Sequence, residues 1–229
     1  MTIKILASTD WHCPRHDRRA MTKFAAAIQG QRFDHYVVLG DVVDFRAVSR
    51  FAVGKPGQMM EPLKRECDMA ADIMAYHGEI LKKTNPDVQL HFIQGNHGFR
   101  LDDLLIRQPA LDGLIDISTL LKLTVNGYSF TPYPKRLKIG AATFMHGLYA
   151  GTTHARRHAA SGENIIYGHT HSIEHNVHPG FGGAIGRAWS VGCLCRMDMD
   201  YIRGPIAWEH GYAIINASRR MVNVNQIRI

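Results

Sequence analysis

Cysteine is scarce in this chain: four residues in 229, at positions 13, 67, 193 and 195. They are too few and too irregularly spaced to staple a fold of this size, which excludes a disulfide-built secreted domain and leaves reduced thiols as the expectation. No apolar stretch approaches the ~20 residues that a membrane span needs, so a transmembrane protein is excluded. The opening MTIKILASTDWH runs from a few apolar residues straight into polar ones, unlike a secretory signal, and reads as the first strand of a cytoplasmic protein. No repeat, low-complexity tract or long polar linker divides the chain, so residues 1–229 are expected to form one domain. Acidic residues are outnumbered, 20 Asp and Glu against 27 Lys and Arg, and the net charge of +7 favours anionic partners such as nucleic acid or phosphate esters. With 45% hydrophobic residues, disorder is excluded as well.

What is present is an alternation of strand-like and helix-like segments. Ile3 to Ser8, His35 to Leu39 and Val88 to Gln94 read as strands, separated by a basic helix over Arg15 to Gln29 and a long helix over Gln58 to Thr84. In the long helix Met60, Leu63, Cys67, Ala70, Met74 and Leu81 form one apolar stripe, and Asn85-Pro86 stops it. This βαβα order predicts a largely parallel sheet. The second half supplies short strands at Ala141 to Met145, Asn164 to Tyr167, Ala184 to Val191, Tyr212 to Ile215 and Val222 to Ile229, which predict a second sheet. Two mixed sheets face to face with flanking helices would make a four-layer α/β/β/α sandwich. Leu101 to Lys138, with a short helix and a TPYPKR loop, is expected to be a surface excursion beside the active site.

Five of these segments end in residues suited to binding metal: Asp10-Trp11-His12, GDVVD around Asp41, GNH around Asn96, His146-Gly147, and GHTH containing His169 and His171. In open α/β sheets the carboxyl ends of strands open into the ligand crevice, so these five ends are expected to meet in one cleft. Hard oxygen and borderline nitrogen donors without a thiolate suit manganese, iron, zinc, nickel or cobalt. Seven such side chains exceed the needs of one ion and divide between two metals, which makes two-metal hydrolysis the leading expectation.

Taken in order, Asp-x-His, GDxxD, GNH, His-Gly and GHTH over residues 3 to 171 resemble the calcineurin-like metallophosphoesterases. The resemblance implies the same four-layer sandwich. It implies one metal on Asp10, His12 and His171, a second on Asn96, His146 and His169, and Asp41 bridging both, with manganese the expected ion. It further implies that a metal-bridging hydroxide attacks phosphorus in line and that His97 donates a proton to the leaving oxygen. Asp44 is expected to orient the His97 imidazole and raise its pKa. Two departures stand out. Gly98 occupies the position where GNH is usually followed by Asp or Glu, and Phe45-Arg46 replaces the Arg-Gly that follows GDxVD in the phosphoprotein phosphatases, which speaks against a protein substrate.

The expected function is therefore a phosphodiesterase acting on nucleotides or nucleic acid. Phosphomonoesterase or protein phosphatase activity is one alternative, and a non-catalytic metal-binding or nucleic-acid-binding protein on the same fold is another. Arg46 and Arg100 are the candidate phosphate clamps. Trp11 is expected to pack. His16, His35, His77, His91, His175, His178 and His210 carry no motif and receive no role. His154 and His158 stand one helical turn apart with Arg156-Arg157 between, open to a basic substrate-binding face, and Arg15, Arg18 and Arg19 are read equally as phosphate contacts or a solvated face. Cys193 and Cys195 would point to one face of a strand, but without a second pair the buried-cysteine reading is preferred to a soft-metal site.

Overall fold

The computed structural model describes residues 2–54, 62–179, 183–199, 202, 204 and 206–229. Strand β1 (Ile3–Ser8) is followed by α1 (Arg18–Ile28), β2 (His35–Val38), α2 (Leu63–Thr84) and β3 (Gln89–Ile93). Then come α3 (Phe99–Arg107), α4 (Ile117–Leu120), α5 (Leu123–Asn126) and β4 (Tyr128–Thr131). The second half runs β5 (Leu137–Ile139), β6 (Ala142–Met145), α6 (His154–Ala159), β7 (Asn164–Tyr167), β8 (Ile173–Pro179), β9 (Ile185–Val191), β10 (Gly211–Ala217) and β11 (Val222–Arg228).

The strands form two mixed sheets, one in the order β11-β10-β1-β2-β3-β4 and one in the order β5-β6-β7-β9-β8. β1, β2, β3 and β4 run parallel, as do β6, β7 and β9, so each sheet directs a set of carboxyl ends the same way. Between the sheets lies an apolar layer of Ile5, Ala7, Val37, Leu39 and Ile93 against Phe144, Ile166, Trp189 and Val191. The opposite face of the first sheet is covered by α1 and α2, and that of the second by α6, through Met145, Ala159, Ile165 and Tyr167. This is the expected four-layer sandwich.

Local rules explain the helices. Asp17 caps α1 by accepting from the Ala20 N–H at 2.8 Å, a contact whose loss costs ~1 kcal/mol. The helix begins at residue 18 rather than 15 because the preceding chain is extended, with Cys13 bridging to Val43 and His16 to Cys195. In α2 the predicted stripe holds for Cys67, Ala70, Met74 and Leu81, all buried, and Asn85 ends the helix. Its expected first residues, 58–61 with Met60 among them, lie outside the described residues.

Two expectations are corrected. Leu101 to Lys138 is structured by three short helices and by β4, which adds to the first sheet in parallel beside β3. The C-terminal strands do not join the second sheet: β10 pairs antiparallel with β1, and β11 with β10, closing the first sheet's far edge. A local sequence pattern marks a strand but not its partner. Among the described residues no helix is long and apolar enough to cross a membrane.

Candidate metal centre

All five expected segments follow the strands anticipated for them: Asp10 and His12 after β1, Asp41 and Asp44 after β2, Asn96 and His97 after β3, His146 after β6, and His169 and His171 after β7. The loops are strained in a telling way. Asp10, His12, Asp41, His169 and His171 all have positive φ, between 49° and 72°. Side chains other than glycine rarely adopt this region, and such strain persists where surrounding structure over-determines it. Glycine supplies the room for it: a Cβ on Gly95 would lie 2.0 Å from Asp41 Oδ1, and one on Gly168 would lie 2.0 Å from Thr9 Oγ1 and 2.6 Å from Asp10 Oδ2.

Three lone-pair atoms converge in the first group. His12 Nε2 and His171 Nε2 lie 3.2 Å apart, and Asp10 Oδ1 is 3.3 Å from the second and 3.6 Å from the first. Tetrahedral bonds of 2.0–2.2 Å imply edges of roughly 3.3–3.6 Å, so the triangle has the size of one face of a metal site. The other carboxylate oxygen, Asp10 Oδ2, is held by the Thr9 hydroxyl at 2.7 Å and the His169 N–H at 2.8 Å, which fixes the direction of Oδ1. Asp10 Oδ1 is buried and has no hydrogen-bond partner.

The second group is fixed by a tautomer. His146 Nδ1 donates to the Leu39 carbonyl at 2.7 Å, so the neutral ring offers only a lone pair at Nε2. That lone pair faces Asn96 Oδ1 at 2.8 Å and Asp41 Oδ2 at 3.1 Å. A lone pair facing two oxygen acceptors at these distances requires a cation or a proton between them. His169 belongs to the same group, its donor atom lying within 4.8 Å of those of Asp41 and His146. Asp41 Oδ1 accepts from the His97 N–H at 2.9 Å, which turns Oδ2 toward His146.

The electrostatics agree. Asp10, Asp41 and Asp44 are buried, and burial alone would raise their pKa values, yet the surrounding histidines hold all three below the ordinary carboxylate range. Against its own burial, His12 is pushed up to about 10 by Asp10 and Asp44, and His146 up to about 9 by Asp41. These carboxylates demand positive charge, and in the absence of a metal imidazolium protons meet the demand. Divalent cations therefore fit the donor set.

Beside these groups His97 Nδ1 donates to the Asp44 carbonyl at 2.9 Å and lies 3.0 Å from Asp44 Oδ1, the expected orienting contact. The expected rise in its pKa is not found. Burial takes the imidazole below its usual value, and the nearby His12 and Arg100 charges add to that, outweighing Asp41 and Asp44. Arg100 donates through Nη2 to His97 Nε2 at 2.9 Å and through Nη1 to the Asp44 carbonyl at 2.6 Å. Arg46 opens a short 3-10 turn after Asp44, half-buried, and that turn packs against α3, which carries Arg100. A Cβ on Gly98 would meet the Gln94 and Ile117 side chains at 2.9 Å, so an acidic residue there would require both to shift.

The remaining residues divide cleanly. Trp11 is fully buried against His77, and His35 pairs with His91. His154 and His158 point inward, His154 to Tyr167 and His158 to the His154 carbonyl, so they offer no basic face, whereas Arg156, Arg157, Arg18 and Arg19 are exposed. Residues with no sequence signal also shape the centre: Thr9, the Leu39 carbonyl, Tyr133 with its ring 6.5 Å from His146, and Trp208 with its ring 4.0 Å from His171. Tyr133 lies in the TPYPKR loop, which does stand beside the site.

Comparison with known proteins meets this geometry. Residues 3–173 match the calcineurin-like phosphoesterase family. The chain is similar to the protein named Gene 54 protein of Mycobacterium phage D29, with 25% identity over 245 aligned positions covering 100% of this chain and 94% of that protein. Its counterpart in phage L5 is 24% identical with the same coverage. Among solved structures, Chaetomium thermophilum Vps29 aligns with a TM-score of 0.50 at 9% identity, over 99% of this chain and 97% of that one. Pseudomonas putida nuclease MPE aligns with a TM-score of 0.36 at 12% identity, over 96% and 86%. The family match begins at β1 and ends at the first residue of β8, enclosing every strand end that contributes to the two convergent donor groups, and the chain belongs to the calcineurin-like phosphoesterase family.

Proposed function

We propose that the chain is a metal-dependent phosphodiesterase acting on nucleotides or nucleic acid. In this reading Asp10, His12 and His171 hold one divalent cation, Asn96, His146 and His169 a second, and Asp41 is shared. Manganese is the favoured ion for a set of carboxylate, amide and imidazole donors. The observation that carries the proposal is the pair of lone-pair convergences, at Asp10 Oδ1, His12 Nε2 and His171 Nε2 and at Asp41 Oδ2, Asn96 Oδ1 and His146 Nε2. Two divalent cations bound there would neutralise phosphoryl oxygens and acidify an attacking water.

The chain's own groups supply the rest. His97, fixed by Asp44 through Nδ1, is the proton donor in this reading: Nε2, which accepts from Arg100 in the substrate-free protein, takes up a proton once Arg100 leaves it and passes that proton to the leaving oxygen. Arg100 holds that nitrogen in the substrate-free protein and, on moving to a phosphate oxygen, both clamps the substrate and frees Nε2. A diester suits this arrangement because its leaving alkoxide needs a proton. The +7 charge and exposed Arg18, Arg19, Arg156 and Arg157 suit a substrate with neighbouring phosphates.

The test compares kcat/KM for bis-nitrophenyl phosphate and nitrophenyl phosphate in Mn²⁺, then oligonucleotides and cyclic nucleotides at several salt concentrations. Preference for the diester and cleavage of a nucleotide diester are expected. Preference for the monoester with no nucleotide cleaved would overturn the substrate class, and metal binding without any hydrolysis would favour a non-catalytic member of the family.

A further inference from the structure

Cys193 and Cys195 lack a second cysteine pair, but the fold gives them a different third donor. Both side chains are fully buried. Cys195 Sγ lies 3.7 Å from His171 Nδ1, and the two sulfurs and a His171 nitrogen lie within 4.8 Å of one another. Met199 is buried in the same cluster, Met197 packs on it, and Trp208 covers His171.

The partner of His171 is unusual in kind. A metal-binding histidine ordinarily gives its second ring nitrogen to a carboxylate, a carbonyl or water. His146 does so with the Leu39 carbonyl, whereas His171 presents Nδ1 to a thiol. Bonds of 2.3 Å to sulfur and 2.0–2.1 Å to nitrogen place tetrahedral donors roughly 3.5–3.8 Å apart, which is the separation found between Cys195 and His171. Soft thiolate and thioether surroundings select thiophilic ions over manganese or magnesium.

We infer that Cys193, Cys195 and His171 form a further metal site, separate in chemistry from the carboxylate-lined pair, that takes one thiophilic d10 cation such as Zn²⁺ or Cd²⁺. With Nε2 already on the first cation, binding replaces two S–H bonds and the His171 Nδ1–H bond by bonds to the metal, which releases three protons to solvent and leaves His171 as a bridging imidazolate. His171 serves as the hinge between the two chemistries, with Nε2 toward Asp10 and Nδ1 toward sulfur.

The experiment titrates Cd²⁺ into the Mn²⁺-loaded full chain and reads sulfur-to-cadmium charge-transfer absorption, with ¹¹³Cd NMR on the same unmutated protein. One equivalent producing the band, with a resonance in the region of two-sulfur ligation, is expected. C195S and the double variant C193S/C195S should lose the band and weaken Cd²⁺ binding by at least the ~10- to 100-fold that losing even a supporting partner of a metal ligand costs. The Asp10→Asn variant should retain the band, because the sulfurs do not depend on the carboxylate. No band in the wild type, or ¹¹³Cd signals from oxygen and nitrogen ligation alone, would overturn the site. No readout involves turnover, so failure of the phosphodiesterase proposal leaves this result intact, and the reverse also holds.

Discussion

Arg100 donates to His97 Nε2 at 2.9 Å, on the nitrogen opposite the one that Asp44 engages. The imidazole is therefore held between a carboxylate and a guanidinium, and the nitrogen needed for proton donation is covered until the arginine moves. Arg100→Ala should lower kcat/KM for a diester by roughly 10- to 100-fold, the value of one or two hydrogen bonds to a charged group. Arg100→Lys should recover little, since an ammonium cannot reproduce the two-armed contact. Steady-state kinetics checks this, and unchanged kcat/KM in the alanine variant would remove Arg100 from substrate binding.

Proton donation matters more as the leaving group becomes more basic. His97→Ala should slow alkoxide-leaving diesters by about 10²–10⁴-fold and nitrophenolate esters much less. Asp44→Asn, which leaves the proposed ligands in place, should cause a milder loss with metal content retained. Equal losses across a leaving-group series would make His97 a positioning residue, and collapse of metal binding in Asp44→Asn would make Asp44 a ligand.

Much of this centre was legible in the sequence. Asp10, Asp41, Asn96, His146 and His169 each follow an apolar run within a few residues, and parallel strands bring their ends together whatever the chain distance. The legibility ended where partners come from elsewhere in the chain. His171, after β7, and Cys195, in the loop that follows β9, meet across 24 residues, a contact set by the pairing of β7 with β9 and not by sequence spacing. Strand β8 was missed because IEHNVHP buries only Ile173 and carries two histidines and a proline, the composition of an exposed edge strand. The fall in the His97 pKa was also hidden, because Asp44 is three residues from Asp41 in sequence whereas the opposing burial, His12 and Arg100 are features of the folded site.

Gly95 makes a sharp steric test. A Cβ there would lie 2.0 Å from Asp41 Oδ1 and 2.7 Å from the Asp41 nitrogen, so Gly95→Ala must displace the Asp41 carboxylate. Activity should fall by about 10²-fold or more, as misplacement of a reacting group by ~1 Å does, with weaker metal binding and unchanged circular dichroism. Wild-type metal affinity in this variant would show that the position of Asp41 is not critical.

His77 governs a separate property. It is buried among Trp11, Phe24 and Tyr36, and burial pushes its imidazole down to about 3. Between pH 6.5 and 3 the unfolded chain takes up a proton there that the folded chain refuses, so stability falls as pH falls through that window, by about 4–5 kcal/mol at its foot. Urea unfolding from pH 7 to 4 should show a shallower acid decline in His77→Phe than in the wild type. Parallel declines would mean that His77 is protonated in the folded state.

In the proposed function Asp41 is the carboxylate shared by the two donor groups. The direct measurement is electron paramagnetic resonance of the Mn²⁺-loaded protein together with metal content, in the wild type and in Asp41→Ala. A spin-coupled pair and two Mn²⁺ per chain are expected in the wild type, with the coupling lost, metal content reduced and turnover abolished in the variant. A wild-type chain with isolated Mn²⁺ signals, or an Asp41→Ala variant with near-normal turnover, would contradict that sharing.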